Sequence, residues 1–239
     1  MNGERSKYLW GENRYGKYCV PRSSEHRKAV AAILAGKVYE RRTIRFMMAH
    51  CGAGDIVHAG TYFGDFLPAL SSALHPQALI WAFEPNSENF TCATKTIALN
   101  RLENVRLENS GLGARPERML LHIRDADGKL RGGSSQLVRV CEPNAAHEEV
   151  SIVRADDVVP SDRKISILQL DVEGFEQEAL TGALGIIRRC LPVMILENLP
   201  RDKEWFQRNI LALGYGFRGK VHANSIFAPA ETPLELPGH

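Results

Sequence analysis

The feature that most constrains this chain is a series of short apolar runs, each ending on a glycine, an acid or another polar residue. Asp55–Ala59, Leu79–Phe83, Val105–Leu107, Ile165–Leu170 and Val193–Leu196 are the members, Val105–Leu107 being the weakest. Runs of this length read as strands buried on both faces. Helical patterns separate them. Phe66–Leu74 stops before Pro76, Asn86 caps a helix to about Leu99, and further helices span about Gly174–Arg189 and Lys203–Leu213. Such alternation predicts an α/β, Rossmann-like fold: a mostly parallel central sheet with helices on both faces. Gly214–Phe217 and Ser225–Phe227 predict an antiparallel hairpin at the C-terminal edge.

Residues 1–22 show no period and read as an irregular arm. Ser23 or Ser24 caps a helix through Glu25–Ala35 that Gly36 stops, and a second helix covers about Glu40–His50. Residues 1–52 are thus expected to form an arm and helical cap on the main domain, 53–239. Within that domain, residues 110–155 break the alternation. Met119–Ile123, Gln136–Val140 and Glu149–Val153 read as short antiparallel strands, an insertion or a sheet extension.

Thirty basic residues stand against 28 acidic ones, a formal charge of +2. So small a surplus attracts phosphate weakly, and no nucleic-acid partner is expected. The cysteines, Cys19, Cys51, Cys92, Cys141 and Cys190, are scattered without a CxxC pair. That spacing argues against zinc and fits a reducing compartment. With no apolar signal core and no apolar run of about 18 residues, a cytoplasmic location without a membrane span is expected.

In an open parallel sheet, ligands sit beyond the carboxyl ends of the strands. The residues to weigh are therefore His58–Asp65, Glu84–Asn86, Asn109–Gly113, Asp171–Glu173 and Glu197–Asn198. Gly60 turns sharply, and Gly64 lets the next helix start lie against a strand or a ligand. A structural turn is the plain alternative. Glu84 ends the next strand, where a carboxylate accepts both hydroxyls of a ribose; a solvated strand-end acid is its alternative. Nicotinamide enzymes carry GxGxxG, whereas this turn is GxxxG with Tyr62 and Phe63 inside it. The wider turn better suits a nucleoside with an amino-acid tail, S-adenosylmethionine. Asp171 and Glu173 face one side if the strand stays extended, and close like charges raise one pKa. Glu173 and Glu176 otherwise serve the first turn of a helix.

Together these segments resemble the FkbM-type methyltransferases, class I enzymes that use S-adenosylmethionine mostly to methylate hydroxyl groups. The resemblance lies in Ile56–Phe66, Ala82–Asn86, Leu168–Glu176 followed by Ala179–Ala183, and Met194–Glu197, over about residues 55–200. The Asp171–Glu176 stretch, DVEGFE, is its most specific piece. Two positions depart from the family pattern: His58 replaces an acid that helps hold the cofactor's ammonium, and Tyr62 replaces a small polar residue. Asp65 is a candidate for the missing charge.

The resemblance implies that His58, Gly60, Thr61, Tyr62, Phe63, Gly64 and Asp65 form the cofactor turn. It implies that Glu84, with Pro85 and Asn86, holds the ribose, that Asn109–Gly113, including Ser110 and Gly111, walls the adenine, and that Asp171 faces the cofactor. Asp171 is the first candidate for orienting or deprotonating the acceptor, with Glu173 and Glu197 next; His222 is a loop histidine that can reach the same cleft or lie on the surface. Metal assistance by these acids is conceivable chemistry, but no compact ligand motif occurs and no metal is expected. The expected reaction is methyl transfer to a hydroxyl of a small molecule, a sugar, glycolipid or polyketide-type acceptor. A nicotinamide-dependent oxidoreductase and a non-catalytic cofactor-binding protein of the same fold are the alternatives, and a homodimer is left open. Acceptor choice is expected from the arm, with Trp10, Tyr15 and Tyr18, and from 114–155, with Ser134 and Ser135. The Glu40–Arg42 run with Arg45 reads as a solvated helix face.

Overall fold

The apolar runs become strands because each has two buried faces. The computed structural model describes residues 6–124, 127–129, 131–138 and 146–237. Its N-terminal layer holds β1 (Tyr8–Asn13), β2 (Gly16–Pro21), α1 (Lys28–Leu34) and α2 (Arg41–His50). The first half of the main sheet follows with β3 (Asp55–Ala59), α3 (Leu67–Ala73), β4 (Ile80–Phe83), α4 (Ser87–Asn100) and β5 (Val105–Glu108). A second sheet interrupts it: β6 (Gly111–Leu112), β7 (Glu117–His122), β8 (Gln136–Val138) and β9 (His147–Val153). The chain then returns through α5 (Ala155–Val158), β10 (Ile165–Leu170), α6 (Glu176–Thr181), α7 (Leu184–Cys190), β11 (Val193–Leu196), α8 (Lys203–Asn209), β12 (Tyr215–Val221) and β13 (Asn224–Pro229).

The main sheet has seven strands in the order β12-β13-β11-β10-β3-β4-β5. Its five central and β5-side strands run parallel, and β13 is antiparallel to both β11 and β12. Alternate residues feed two cores. Val57, Ala59, Leu168, Leu170, Met194 and Leu196 pack against α6, α7 and α8. Ile56, Ile80, Ala82, Ile167 and Ile195 pack on the other face against α2 and α3. A fully buried Leu, Ile or Phe contributes roughly 1.5–3 kcal/mol, so these layers need no covalent staple. Cys19, Cys51, Cys92 and Cys190 are free thiols, and Cys141 lies outside the described residues. No helix among the described residues is long and apolar enough to cross a membrane.

Three sequence expectations change and one is resolved between its alternatives. The arm is an antiparallel hairpin, β1–β2, with Tyr18, Cys19 and Val20 of β2 fully buried against α1 and α4. Burial of successive residues on β2 erased the two-residue period. The helix expected from Gly174 to Arg189 is two helices. A side chain at Gly182 would lie 2.0 Å from the Gly113 carbonyl oxygen, so the chain bends there. Asp156 then caps α7 from outside, accepting from Gly185 and Ile186 N–H at 2.9 and 2.8 Å. The strands expected within 110–155, joined by β6, make a separate sheet ordered β6-β9-β7-β8, an insertion and not an extension of the main sheet, with Met119, Leu121, Val150 and Ile152 over Phe175. Finally, the Lys203–Leu213 helix stops at Asn209, with a separate 3-10 turn at Leu211–Leu213. Arg139 and Val140, at the end of the expected Gln136–Val140 strand, lie outside the described residues.

Candidate active site

The strand order reverses at β3, where the chain first lays down β4 and β5 and later returns to place β10 and β11 on the other side. A crevice opens at that switch point, beyond the carboxyl ends of β3 and β10. Its floor is the turn after β3. Gly60 has φ +81°, and a Cβ there would lie 1.9 Å from the Asp171 carbonyl oxygen. Only glycine lets the two strand exits approach so closely. Gly60 and Thr61 N–H both donate to the Phe83 carbonyl at 3.1 Å, and Gly64 N–H donates to Thr61 at 2.9 Å. Tyr62 takes a left-handed φ of 54°.

Glu84, at the exit of β4, is 5% exposed. Its Oε2 accepts the Tyr62 N–H at 2.7 Å, and its Oε1 accepts the Asn86 N–H at 2.9 Å and Asn89 Nδ2 at 3.3 Å. Burial pushes its carboxyl up to about 7, against the pull of these donors. Asn86 caps α4 through the Asn89 N–H at 3.0 Å. Asn109 Nδ2 ties the exits of β4 and β5, donating to the Glu84 and Pro85 carbonyls at 2.9 and 3.2 Å. Beside Glu84 runs a slot walled by Pro85, Gly111, Leu112 and Val172 and roofed by Gly132, Gly133, Ser135 and Leu137. Its free volume is about 40 Å³, room for only a few waters.

On the other side of Gly60 lies a cavity of about 420 Å³. Glu40, Asp65, Asp171, Glu173 and Glu197 line it, with His58, Tyr39, Arg27 and Lys28. Burial and the neighbouring Glu197 carboxylate push Asp171 well above the ordinary range, and Glu173 rises for the same two reasons. Burial, with Glu40 close by, pushes Asp65 up to about 7. Burial holds His58 down to about 4, so it is neutral. Its Nδ1 donates to Gln169 Oε1, which leaves Nε2 as a bare acceptor.

The fold thus gathers His58, Gly60, Tyr62, Asp65, Asp171, Glu173 and Glu197 round one cavity, and Glu84, Pro85 and Gly111 round the adjoining slot. Other candidates point elsewhere. Phe63 is fully buried in the hairpin core. Thr61 turns its hydroxyl back to the His58 carbonyl at 3.1 Å. Gly64 packs on Leu67 and Ala93. Ser110 is buried with an unpartnered hydroxyl. Of the arm aromatics, Trp10 is exposed and Tyr18 buried; neither they nor Tyr15 line the cavity. Glu176 opens α6 and accepts from Gly174 N–H and Asn198 Nδ2, both at 3.4 Å.

Sequence reasoning missed Glu40, Arg27, Lys28, Tyr39 and Gln169. Glu40 is not part of a solvated helix face: it lies in the cavity, accepting from Thr43 Oγ1 at 3.0 Å and Asn224 Nδ2 at 3.2 Å. His222, at the β12–β13 turn, stands 3.6 Å from its other oxygen. One available signal was Gln169, a lone amide inside an apolar strand.

The donor set suits the nucleoside and sulfonium cofactor that the resemblance implies: a buried carboxylate for vicinal hydroxyls, an apolar slot for a base, and an acidic cavity for a cationic tail. A family model described as the methyltransferase FkbM domain matches residues 50–218. "Methyltransferase 1" of Beauveria bassiana is 26% identical over 143 residues, covering 53% of this chain and 57% of that protein. The crystal structure of a methyltransferase FkbM from Methylobacillus flagellatus superposes with a TM-score of 0.51 at 16% identity, over 74% of this chain and 43% of the other. A methyltransferase from Geobacter sulfurreducens gives a TM-score of 0.48 at 13% identity, over 86% of each chain. The chain therefore spans about half the length of the first two relatives.

Proposed function

This chain belongs to the FkbM methyltransferase family, whose cofactor is S-adenosylmethionine, and on that premise we propose that it methylates a hydroxyl of a small molecule. Glu84 carries the reading. A buried carboxylate clamped to both the glycine turn and the exit of β4 is placed to accept ribose hydroxyls, with the apolar slot for the base alongside. The nicotinamide alternative needs free turn amides for a pyrophosphate. Here the Gly60, Thr61, Tyr62 and Gly64 N–H groups are all engaged within the protein.

S-adenosylmethionine supplies an electrophilic methyl group on a sulfonium. The chain's own task is alignment, worth on the order of 7–11 kcal/mol, while a positioned base adds roughly 10²–10⁴-fold. Asp171 is that base. It stands where the cavity meets the slot, and its raised pKa lets it hold a proton taken from the acceptor hydroxyl. Glu197 and Glu173 flank it. His58 Nε2 and Asp65 receive the ammonium end, replacing the acid the family carries at position 58. Five acidic groups face only Arg27 and Lys28 on the cavity wall, an acidic surplus that supports a small hydroxylated acceptor of sugar, glycolipid or polyketide type over a nucleic acid.

Calorimetry with S-adenosylmethionine and with NAD tests the cofactor: heat with the first alone is expected, and heat with NAD alone sinks the reading. A radiolabelled methyl-transfer screen over hydroxylated metabolites and glycolipid precursors tests the acceptor, with label recovered in an ether-linked product expected. Label appearing only on amines overturns the hydroxyl assignment.

A further inference from the structure

The cavity's acids come mostly from the main domain, but its lysine and arginine come from the N-terminal layer. Arg27, half-buried, and Lys28, exposed, line the same cavity as Asp65, Asp171, Glu173 and Glu197. Among the described residues, neither cation forms an ion pair. A cation within about 4–6 Å of a carboxylate holds its pKa down. Asp65 and Asp171 are instead raised, by burial first and then by neighbouring carboxylates. The two cations therefore sit apart from these acids, and the cavity has a negative end and a positive one.

The roof fixes the positive end. A Cβ on Gly132 would lie 2.7 Å from the Tyr62 hydroxyl and 2.9 Å from Ser24 Oγ, so the segment leading to Arg27 packs against the roof. There Arg27 gives its guanidinium to the Ser134 hydroxyl. Burial and Glu197 raise Glu173, and the same hydroxyl offsets part of that rise. Ser134 thus stands between Arg27 and Glu173. A guanidinium carries donors beyond the one spent on Ser134. Among the described residues, those donors and the Lys28 ammonium meet no acceptor. The cofactor's own carboxylate is a poor claimant for them. It shares a carbon with the ammonium, which His58 and Asp65 receive, so it stays beside the negative end.

We propose that Arg27 and Lys28 bind a carboxylate on the acceptor, which makes the substrate a small hydroxy acid of the sugar-acid kind, its hydroxyl turned towards Asp171. The substrate class rests on the methyl-transfer reading; the anion site does not. A planar guanidinium matches a carboxylate edge to edge. One arginine and one lysine facing an acidic surplus suit a single negative charge better than a phosphate dianion. Both cations precede residues 50–218, the stretch shared with the family, so this selectivity belongs to the chain's own N-terminal layer.

The test is saturation-transfer NMR of the full chain with D-glucuronate, D-galacturonate and D-glycerate, each against its uncharged methyl ester. S-adenosylmethionine is titrated into the same samples by calorimetry, and labelled cofactor reports transfer. At least one acid should bind roughly tenfold or more tighter than its ester, the scale of a charge-assisted hydrogen bond. Lys28→Met, at an exposed position, should cut that preference several-fold. Arg27→Met should remove most of it, and Arg27→Lys should restore part. No preference for any acid, or a preference that Arg27→Met and Lys28→Met both keep, overturns the site. Loss of S-adenosylmethionine affinity with the acid preference intact assigns the cations to the cofactor and overturns it too. An acid preference lost in the variants, with no label on any of these hydroxyls, upholds the anion site and sinks the hydroxyl-transfer reading instead.

Discussion

The Tyr62 amide donates to Glu84 Oε2 across 2.7 Å, so the turn after β3 and the exit of β4 move as one unit. Removing that carboxylate frees three donors at once. Hydrogen bonds to a charged group contribute roughly 1.5–3 kcal/mol each, and the lost ribose contacts are of the same kind. Glu84→Ala should weaken S-adenosylmethionine binding by roughly tenfold or more by calorimetry. Unchanged affinity would remove Glu84 from the site.

Burial lifts Glu84 up to about 7, above the 4.5 of a free side chain. Its contribution to stability is therefore fully present below the unfolded value and is lost as pH rises through about 7. Hydroxyls donate to the ionised form more strongly than to the protonated one. Cofactor affinity should thus rise from about pH 6 to about pH 8, with proton release on binding. Glu84→Gln should flatten that rise, and a slope that survives the substitution assigns the proton to another group.

Asp171→Asn removes the proton acceptor but keeps the side chain's volume. S-adenosylmethionine should still bind, and turnover should fall by roughly 10²–10⁴-fold. Single-turnover measurement with labelled cofactor separates the two effects, and full activity would move the base to Glu173 or Glu197.

Gly60→Ala combines two penalties, a left-handed φ and a Cβ 1.9 Å from the Asp171 carbonyl oxygen. The variant should lose roughly 3 kcal/mol or more of unfolding free energy. Urea denaturation reads this directly. Gly52→Ala is the control: it also has positive φ, but a Cβ there meets nothing within 4 Å, so its loss should be much smaller.

The slot beside Glu84 holds about 40 Å³ under the Gly132–Leu137 roof, too little for a nucleoside. Cofactor entry should lift that roof. Amide exchange in residues 131–138 should change on adding S-adenosylmethionine, while β10 stays protected. An unaltered roof with full binding would place the nucleoside elsewhere.

Much of this framework was legible because burial on two faces leaves a local trace. Asp55–Ala59, Ile165–Leu170 and Val193–Leu196 were read to the residue, and Asn86 was read as a cap. The hairpin β1–β2 was not legible, since Tyr18, Cys19 and Val20 are all buried and show no alternation. The break at Gly182 depends on a distant carbonyl. In the site, the strand-end acids stood out because polar residues closing apolar runs have a position, whereas Glu40 and Arg27 reach the cavity only through packing of the N-terminal layer.

Because β13 runs against its neighbours, the β12–β13 turn comes back to the same end of the sheet as the cofactor crevice. There Asn224 and His222 grip Glu40, on the far wall from Glu84. That wall is therefore set jointly by the N-terminal layer and by the β12–β13 hairpin, which meet at Glu40. A substitution at the β12–β13 turn thus reaches the cavity through Glu40 without touching the turn that holds Glu84.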